Sequence, residues 1–251
     1  LAIPAAMAAG IASGFITAFL QTKMGVDSLL SGIIANTGLY SVNIAIMGGS
    51  SLLNMNKTET VFTKMRSLLS DTVFEKYAKL LVILLAVTTV AVLLGLFLRT
   101  RLGLAIRATG NNPDMVRSSS INTVYTTIVG LCVANACTAL SGCLLAQSQK
   151  SVNIDIGTGM VTIALASLLI GKAFFGKRKM PLRIFGMIAG AIIFRLVYTV
   201  ALRFDMTDFM LKLVSSVIVV IAISGPYLKN QLPLLQRKLR GHRIAGGGKE
   251  C

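Results

Sequence analysis

Charged residues are scarce in this sequence, and their scarcity excludes an ordinary water-soluble domain. Only 14% of the 251 residues are charged and 54% are hydrophobic, whereas about a quarter of the residues in a typical soluble domain are charged. The net charge of +16 does not indicate a nucleic-acid partner, because the basic residues lie in short stretches between long apolar runs. The composition indicates a protein embedded in a lipid bilayer, and we expect no nucleic acid among its partners.

Groups that perform chemistry are also rare. All nine acidic residues lie outside or at the edges of the apolar runs, so the membrane-embedded carboxylate typical of ion-coupled carriers is missing. The single histidine, His242, lies in a basic stretch, and Cys132, Cys137 and Cys143 share one apolar run without a histidine or carboxylate. We therefore predict no catalytic residue and no metal site, and we interpret the three cysteines as small packing residues.

A phosphate-binding loop is absent as well. Gly-Lys occurs at 171–172, 176–177 and 248–249, each time without the Ser or Thr that completes such a loop. We expect no cofactor on this chain, so any energy from ATP has to come from another subunit.

What the sequence does contain is a series of apolar runs of about 20 residues, the length at which a helix crosses a bilayer. They predict an all-α fold, a polytopic transmembrane helical bundle with at least seven membrane segments. Because Leu1 already lies in an apolar run and is not an initiator Met, we expect that the N-terminus is truncated by at least one further segment. A seventh, short run either extends toward Phe175 or belongs to a broken, protein-buried helix. The six full runs are 1–20, 28–47, 78–98, 124–145, 182–202 and 209–228, and the short run is 159–171.

The distribution of Lys and Arg predicts the orientation, since basic loops are retained on the cytoplasmic side. Three segments carry fifteen of these residues, whereas the two alternating loops carry two. We therefore predict a membrane domain over 1–228, a basic cytoplasmic tail that is attracted to anionic lipid, and an outer surface element over 48–77. The basic segments are 99–123, 172–183 and 229–251, and the alternating loops are 146–158 and 203–208.

Small residues at four-residue spacing indicate close helix packing, because they let two backbones approach each other in lipid. We expect these positions to lie at helix interfaces within the bundle or between two copies. They are Ala6, Gly10, Gly14 and Ala18 in the first run, and Gly186 and Gly190 in a later one.

The loop 99–123 contains signals for a short helix. Asn112 is a good N-cap, Pro113 suits the first helical position, and Asp114 complements the positive end of a helix. We predict a helix over about 113–119, with Gly110 supplying the turn before it. By these features alone, it is either a plain capped surface helix or a docking element.

Three stretches of the sequence resemble the permease subunits of ATP-binding cassette (ABC) importers of the branched-chain amino acid and ribose type. Within that group the sequence is most similar to the permeases of aromatic amino acid (tryptophan or tyrosine) importers. The stretches are LGLAIRATGNNP at 102–113 with SIN at 120–122, LSGIIANTGLYSVNIAIMGG at 30–49, and DIGTGMVTIALASLLIGKAFFG at 155–176.

The resemblance implies that the short helix is the cytoplasmic coupling helix, which seats in a groove of an ATPase subunit. Ser120 stands where many relatives carry Gly, so we expect a less abrupt exit from this helix. Lys172 stands where relatives often carry Gly or an acidic residue, which leaves the contacts of its loop open. The residues expected to contact the ATPase are Gly110, Asn111, Asn112, Pro113, Asp114, Met115, Arg117 and Ser120.

The resemblance also implies the partners: a second permease subunit, expected to be another copy of this chain, two ATPase subunits that bind ATP and Mg, and an extracytoplasmic solute-binding protein. The location implied is the bacterial plasma (inner) membrane. The substrate expected is an amino acid, with a sugar or nucleoside as the alternative. An ATP-independent carrier or channel, a membrane enzyme and a scaffold are the other functions considered.

Polar residues inside the runs are candidates for a translocation pathway. Asn36, Tyr40 and Asn43 share one helix face, and such groups have to face protein or water rather than lipid. They either line the pathway or form interhelical hydrogen bonds, and the same alternatives hold for Asn135. Arg195 lies deep in an apolar run, where it would meet a substrate carboxylate or helix-end carbonyls, or extend to the membrane surface.

Overall fold

The computed structural model describes residues 1–56, 58–68, 78–154, 156–175 and 180–203, together with Val217 and Val220. These residues are mostly helical, as the sequence predicts. The chain divides into two compact units, Leu1–Ile154 and Asp155–Cys251, which are described separately. The predicted run 209–228 and the tail 229–251 lie outside the described residues, apart from Val217 and Val220.

The first unit contains helices of membrane-spanning length, short helices between them, and a pair of strands. In chain order its elements are α1 (Ala2–Thr22), α2 (Ser28–Ile46), β1 (Leu52–Asn54), α3 (Val61–Leu68), α4 (Ala78–Phe97), α5 (Arg101–Asn111), α6 (Pro113–Ser118), α7 (Thr123–Gln149) and β2 (Ser151–Asn153). The second unit contains α8 (Ile156–Phe175) and α9 (Met180–Leu202).

Five of the described helices are long and apolar enough to cross a membrane: α1, α2, α4, α7 and the Leu182–Val200 part of α9. Their bounds agree with the predicted runs to within about one helical turn. The short seventh run lies within α8, which extends as far as Phe175, and the apolar part of α8 covers Ile163–Lys172. Lys172 consequently lies in the last turn of this helix and not in a loop.

Helix α1 packs against α7 through glycine. A Cβ atom at Gly10 would lie 2.6 Å from Asn135 O and 2.6 Å from the Cβ of Ala139, and a Cβ at Gly14 would lie 2.7 Å from Leu131 O. Neither position has space for a side chain. Since later residues of α1 meet earlier residues of α7, the two helices run antiparallel.

The strands and α3 lie at the C-terminal end of α7, and we call β1, α3 and β2 together the end lobe. The strands pair antiparallel, with Leu53 opposite Val152. Lys150 joins α7 to β2 in the left-handed backbone region, at φ 54°. The described residues of the predicted surface element 48–77 are therefore attached to the end of α7.

In the second unit, α8 and α9 meet at glycine as well. A Cβ at Gly171 would collide with the carbonyl of Gly186, and a Cβ at Gly190 would collide with the carbonyl of Ser167. Phe194 continues the buried side of α9 and has no exposed surface. The two predicted glycines of the later run thus lie in this helix interface.

We predict that Gly10→Ala lowers the stability of the protein by about 1–3 kcal/mol, because the added methyl group overpacks the α1–α7 contact. The measurement is the midpoint temperature of thermal unfolding in detergent. It is monitored by size-exclusion chromatography of the permease fused to a fluorescent protein.

The matched control is Gly142→Ala in α7, where a Cβ would meet no atom within 4 Å. This control should be neutral or slightly stabilising, since alanine favours a helix by up to about 1 kcal/mol over glycine. Equal midpoints for the two variants would contradict the close contact.

Candidate functional site

The loop between α4 and α7 is folded onto the N-terminal part of α7. The Thr100 side chain accepts a hydrogen bond from the backbone N–H of Gly103 at 3.2 Å and so starts α5. Gly103 is buried, and a Cβ there would collide with the carbonyl of Phe97. This glycine therefore permits the sharp bend between α4 and α5.

Two contacts fix α5 on α7. The Thr109 and Thr126 hydroxyl oxygens lie 2.9 Å apart, and Cγ2 of Ile106 lies 3.2 Å from where a Cβ of Gly130 would be. The sequence interpretation missed α5, although Leu102 and Ile106 at four-residue spacing after a Thr N-cap are a usable signal.

The short helix α6 is present at Pro113–Ser118, close to its predicted extent, and its N-cap is confirmed. Asn112 Oδ1 accepts hydrogen bonds from the N–H groups of Asp114 and Met115, both at 3.1 Å. Arg117 Nε donates to Thr123 Oγ1 at 3.3 Å, which attaches α6 to the first residue of α7. The ion pair of Arg117 with Asp114, at 3.8 Å, is exposed and adds little stability.

The turn before α6 differs from the prediction. Gly110 and Asn111 lie in the last turn of α5, so Gly110 does not supply the turn. The chain changes direction at Asn112, which has an extended backbone with φ −155°. The physical reason is Pro113, which disfavours the helical conformation for the residue before it.

The exit from α6 is also different from the prediction. Ser120 has φ 60°, its N–H donates to Arg117 O at 3.1 Å, and the N–H of Ile121 donates to Val116 O at 3.3 Å. These bonds form a Schellman motif with Ser120 at the left-handed position. The expected less abrupt exit is therefore wrong, because Ser120 adopts the conformation that glycine favours.

The helix α6 presents an apolar side chain to the surroundings. Met115 is 68% exposed, whereas Val116 is buried against the unit. Leu104 on α5 is exposed too, and sequence reasoning did not select it. The arrangement offers an apolar contact point on a short helix whose two ends are both fixed.

The three polar residues of α2 lie on a face that the described part of the unit leaves exposed. Asn36, Tyr40 and Asn43 are exposed, while Ser31 and Ala35 are the buried residues of this helix. This face needs water or further protein as its environment if α2 spans a membrane.

Comparisons with known proteins identify the family of the chain. The model of the family described as branched-chain amino acid transport system, permease component, matches residues 1–223. The chain is 29% identical over 234 residues to a tyrosine transport system permease protein of Clostridioides difficile (strain R20291), covering 93% of this chain and 75% of that protein. It is 27% identical over 224 residues to an uncharacterized protein of Rickettsia prowazekii (strain Madrid E), covering 88% and 76%. No solved structure matches.

The family match includes every described helix. The chain belongs to this permease family. The resemblance carried by 102–113, 30–49 and 155–176 is thereby confirmed, and the permease is a multi-pass membrane protein and a subunit of a transport system.

The other two predicted pathway residues of the permease lie on other helices, Asn135 on α7 and Arg195 on α9. Asn135 lies at the α1–α7 contact, 3.1 Å from where a Cβ of Gly14 would be, and its Nδ2 donates to Leu131 O at 3.0 Å. Arg195 is exposed on α9, in the second unit. Asn135 thus forms a hydrogen bond within its own helix. For Arg195 the three predicted roles stay open: contact with a substrate carboxylate, contact with helix-end carbonyls, or extension to the membrane surface.

Metal ligands do not gather in the part of the permease that the structure describes. Across those residues, no group of three or more His, Cys, Asp or Glu side chains lies close enough together to hold an ion. The features that this part offers for function are the α5–α6 loop and the polar face of α2.

We predict that Ser120→Gly strengthens the end of α6, because glycine removes the cost of a left-handed backbone at this residue. Hydrogen exchange of the backbone N–H groups of residues 120 and 121 should slow by about fivefold, corresponding to roughly 1 kcal/mol.

The neighbouring variant Ser119→Gly is the control. Ser119 has φ −88° and its hydroxyl donates to Met115 O at 3.1 Å, so glycine there should accelerate the exchange. The same direction of change in both variants would rule out the left-handed exit at Ser120.

Proposed function

We propose that this permease forms the translocation pathway of an ABC importer for an amino acid. In this proposal it pairs with a second copy of itself, two ATPase subunits bind its cytoplasmic side, and a solute-binding protein delivers the substrate from outside. The observation that carries the proposal is the exposed Met115 on the doubly anchored helix α6.

The coupling role of α6 is supported by its anchoring and its position. The hydrogen bond from Arg117 and the contact between Thr109 and Thr126 tie the loop to the N-terminal end of α7. A force on Met115 therefore acts on a membrane helix and not on a loose loop. The four basic residues of 99–123 favour a cytoplasmic location, where an ATPase subunit would be. ATP-driven closure of the ATPase pair would then switch the pathway by rigid-body motion.

The pathway itself is assigned to the polar face of α2. Asn36, Tyr40 and Asn43 are exposed on the described chain, and leaving them in hydrocarbon would be unfavourable. A second permease copy facing α2 across a water-filled space would provide the environment that they need. The permease performs no bond chemistry in this mechanism, and it relies on the binding protein for substrate selection.

The amino acid as substrate is supported by the family description and by the relative from Clostridioides difficile that is named as a tyrosine transport permease. The described residues of the pathway face are polar but uncharged, which is compatible with the passage of a zwitterion that the receptor has already selected.

We expect Met115→Glu to weaken co-purification of the permease with its ATPase by at least about tenfold, because a charge replaces a central apolar contact. The measurement is the amount of ATPase retained on the tagged permease in detergent.

The matched control is Met24→Glu. Met24 is 64% exposed and comes just after the end of α1. Because α1 and α7 are antiparallel, the end of α1 and the start of α7 lie at the same end of the unit. This variant should retain the ATPase. Full retention by Met115→Glu, or an equal loss in both variants, would refute docking through α6.

Substrate class is tested with the permease, its natural ATPase and its natural binding protein in lipid nanodiscs. We expect the binding protein to raise ATP hydrolysis when it is loaded with tyrosine or a branched-chain amino acid, and not when ribose is added. Stimulation with ribose alone would overturn the amino acid and leave the permease role intact. Solute uptake into liposomes by the permease without any ATPase would instead favour an ATP-independent carrier.

A further inference from the structure

Arg195 is a charged residue inside a helix of membrane-spanning length, and it belongs neither to the coupling loop nor to the polar face of α2. It lies on α9, within the apolar part Leu182–Val200. At a rise of about 1.5 Å per residue, it is about 20 Å from Leu182 and about 8 Å from Val200 along the helix axis. A guanidinium at this depth is unfavourable in hydrocarbon, so it needs water or an anion around it.

The side chain of Arg195 lies on a face of α9 that α8 leaves uncovered. A Cβ at Gly190 would collide with the carbonyl of Ser167 on α8, and Phe194 is fully buried, whereas Arg195 is exposed. Within the described ranges its guanidinium has no hydrogen-bond or ion-pair partner, and only its carbonyl oxygen is bonded, to the Thr199 hydroxyl at 2.7 Å. The described residues therefore do not provide the helix-end carbonyls that sequence reasoning considered for Arg195.

Helix geometry bears on which membrane surface the Arg195 side chain can reach. The basic segment 172–183 predicts that α9 starts on the cytoplasmic side, so that Val200 lies toward the outer surface. Side chains on a helix tilt toward its N-terminus, and Arg195 is therefore expected to extend over the turn that contains the small residue Ala191. This direction leads toward the membrane interior. Extension of the side chain to the outer headgroups would run against it.

The apolar runs of the permease supply no counter-ion for Arg195. All nine acidic residues lie outside or at the edges of these runs, and the next acids along the chain, Asp205 and Asp208, follow the end of α9. A second copy has the same sequence, so it adds no embedded carboxylate. An amino acid brings its own carboxylate, whereas ribose has none. A guanidinium binds a carboxylate through paired, charge-assisted hydrogen bonds.

We propose that Arg195 pairs with the carboxylate of the amino acid while the substrate crosses the membrane. This proposal rests on the proposed function, which makes the permease the pathway of an importer, and it names the chemical group that the pathway recognises. The contact is transient, because the substrate has to leave again, and selection among amino acids stays with the binding protein. Solutes without a carboxylate, such as sugars, would not make this contact.

The test measures uptake of radiolabelled tyrosine and ATP hydrolysis by the complete transporter in proteoliposomes, with the loaded binding protein outside and ATP inside. For Arg195→Gln, the number of tyrosine molecules taken up per ATP hydrolysed should fall by at least about tenfold, because the charged partner of the carboxylate is lost. Arg195→Lys keeps a positive charge and should transport more than Arg195→Gln.

The matched control is Arg203→Gln, which removes a positive charge from the exposed residue that follows α9. It should keep the wild-type ratio of uptake to hydrolysis. A wild-type ratio in Arg195→Gln, an equal fall in Arg203→Gln, or equal ratios in the two Arg195 variants would overturn the role of Arg195.

Thiol labelling tests the surroundings of residue 195 without any transport. In the complete transporter whose permease has its four cysteines replaced by alanine, Arg195→Cys should react with a water-soluble methanethiosulfonate reagent, because a pathway contains water. Leu196→Cys, which is turned by about 100° around the helix, is the control and should stay unmodified.

The labelling result separates a pathway residue from a lipid anchor. An unmodified Arg195→Cys would indicate hydrocarbon around residue 195, with the native side chain extended to lipid phosphates, and would overturn the proposal. If the wild-type transporter takes up no amino acid with its loaded binding protein, the proposed function fails, and the labelling still decides whether residue 195 faces water or lipid.

Discussion

Direct contact between the backbones of α1 and α7 is the constraint on which the first unit depends. Lipid provides no hydrophobic driving force between helices, so their association relies on close van der Waals contact. Gly10 and Gly14 allow the Asn135 and Leu131 carbonyls of α7 to approach to a distance at which any Cβ would clash. Polar groups near this contact are satisfied locally, as the bond from Asn135 to Leu131 shows. The same principle recurs between α8 and α9 at Gly171 and Gly190.

Because α1 holds α7 along its middle, the ends of α7 are available for function. Its first turns carry α5 and α6 through short side-chain contacts, and its last turn carries the end lobe through Gln147 and the β1–β2 strand pair. Helix α7 therefore contacts the features at both ends of the unit.

Features decided by local sequence were predictable, and features decided by distant contacts were not. Hydropathy located the long helices, and Asn112 with Pro113 located α6, because spans and caps depend on neighbouring residues. The prediction that Gly110 supplies the turn was wrong. Pro113 disfavours the helical conformation for Asn112, so the chain turns at Asn112. The β1–β2 pair joins three-residue strands about a hundred residues apart, and Gln147 bonds a residue 86 positions away. Neither the strand pair nor the Gln147 hydrogen bond is indicated by the residues next to it in the sequence. Ser120 showed that a serine can occupy a left-handed position when a Schellman motif requires it.

The distribution of packed and exposed faces bears on where the proposed pathway would open. An interface formed by glycine backbones is close-packed and resists rearrangement, so we expect α1 and α7 to stay together in a conformational change. Helix α4 buries only Ala78 and Val82 among its residues, both near its start, and α2 leaves its polar face exposed. Rigid-body transitions take place at interfaces between packed bodies. Under the proposed function, we therefore expect the change that opens or closes the pathway where α2 and α4 meet their surroundings, among the described helices of the first unit.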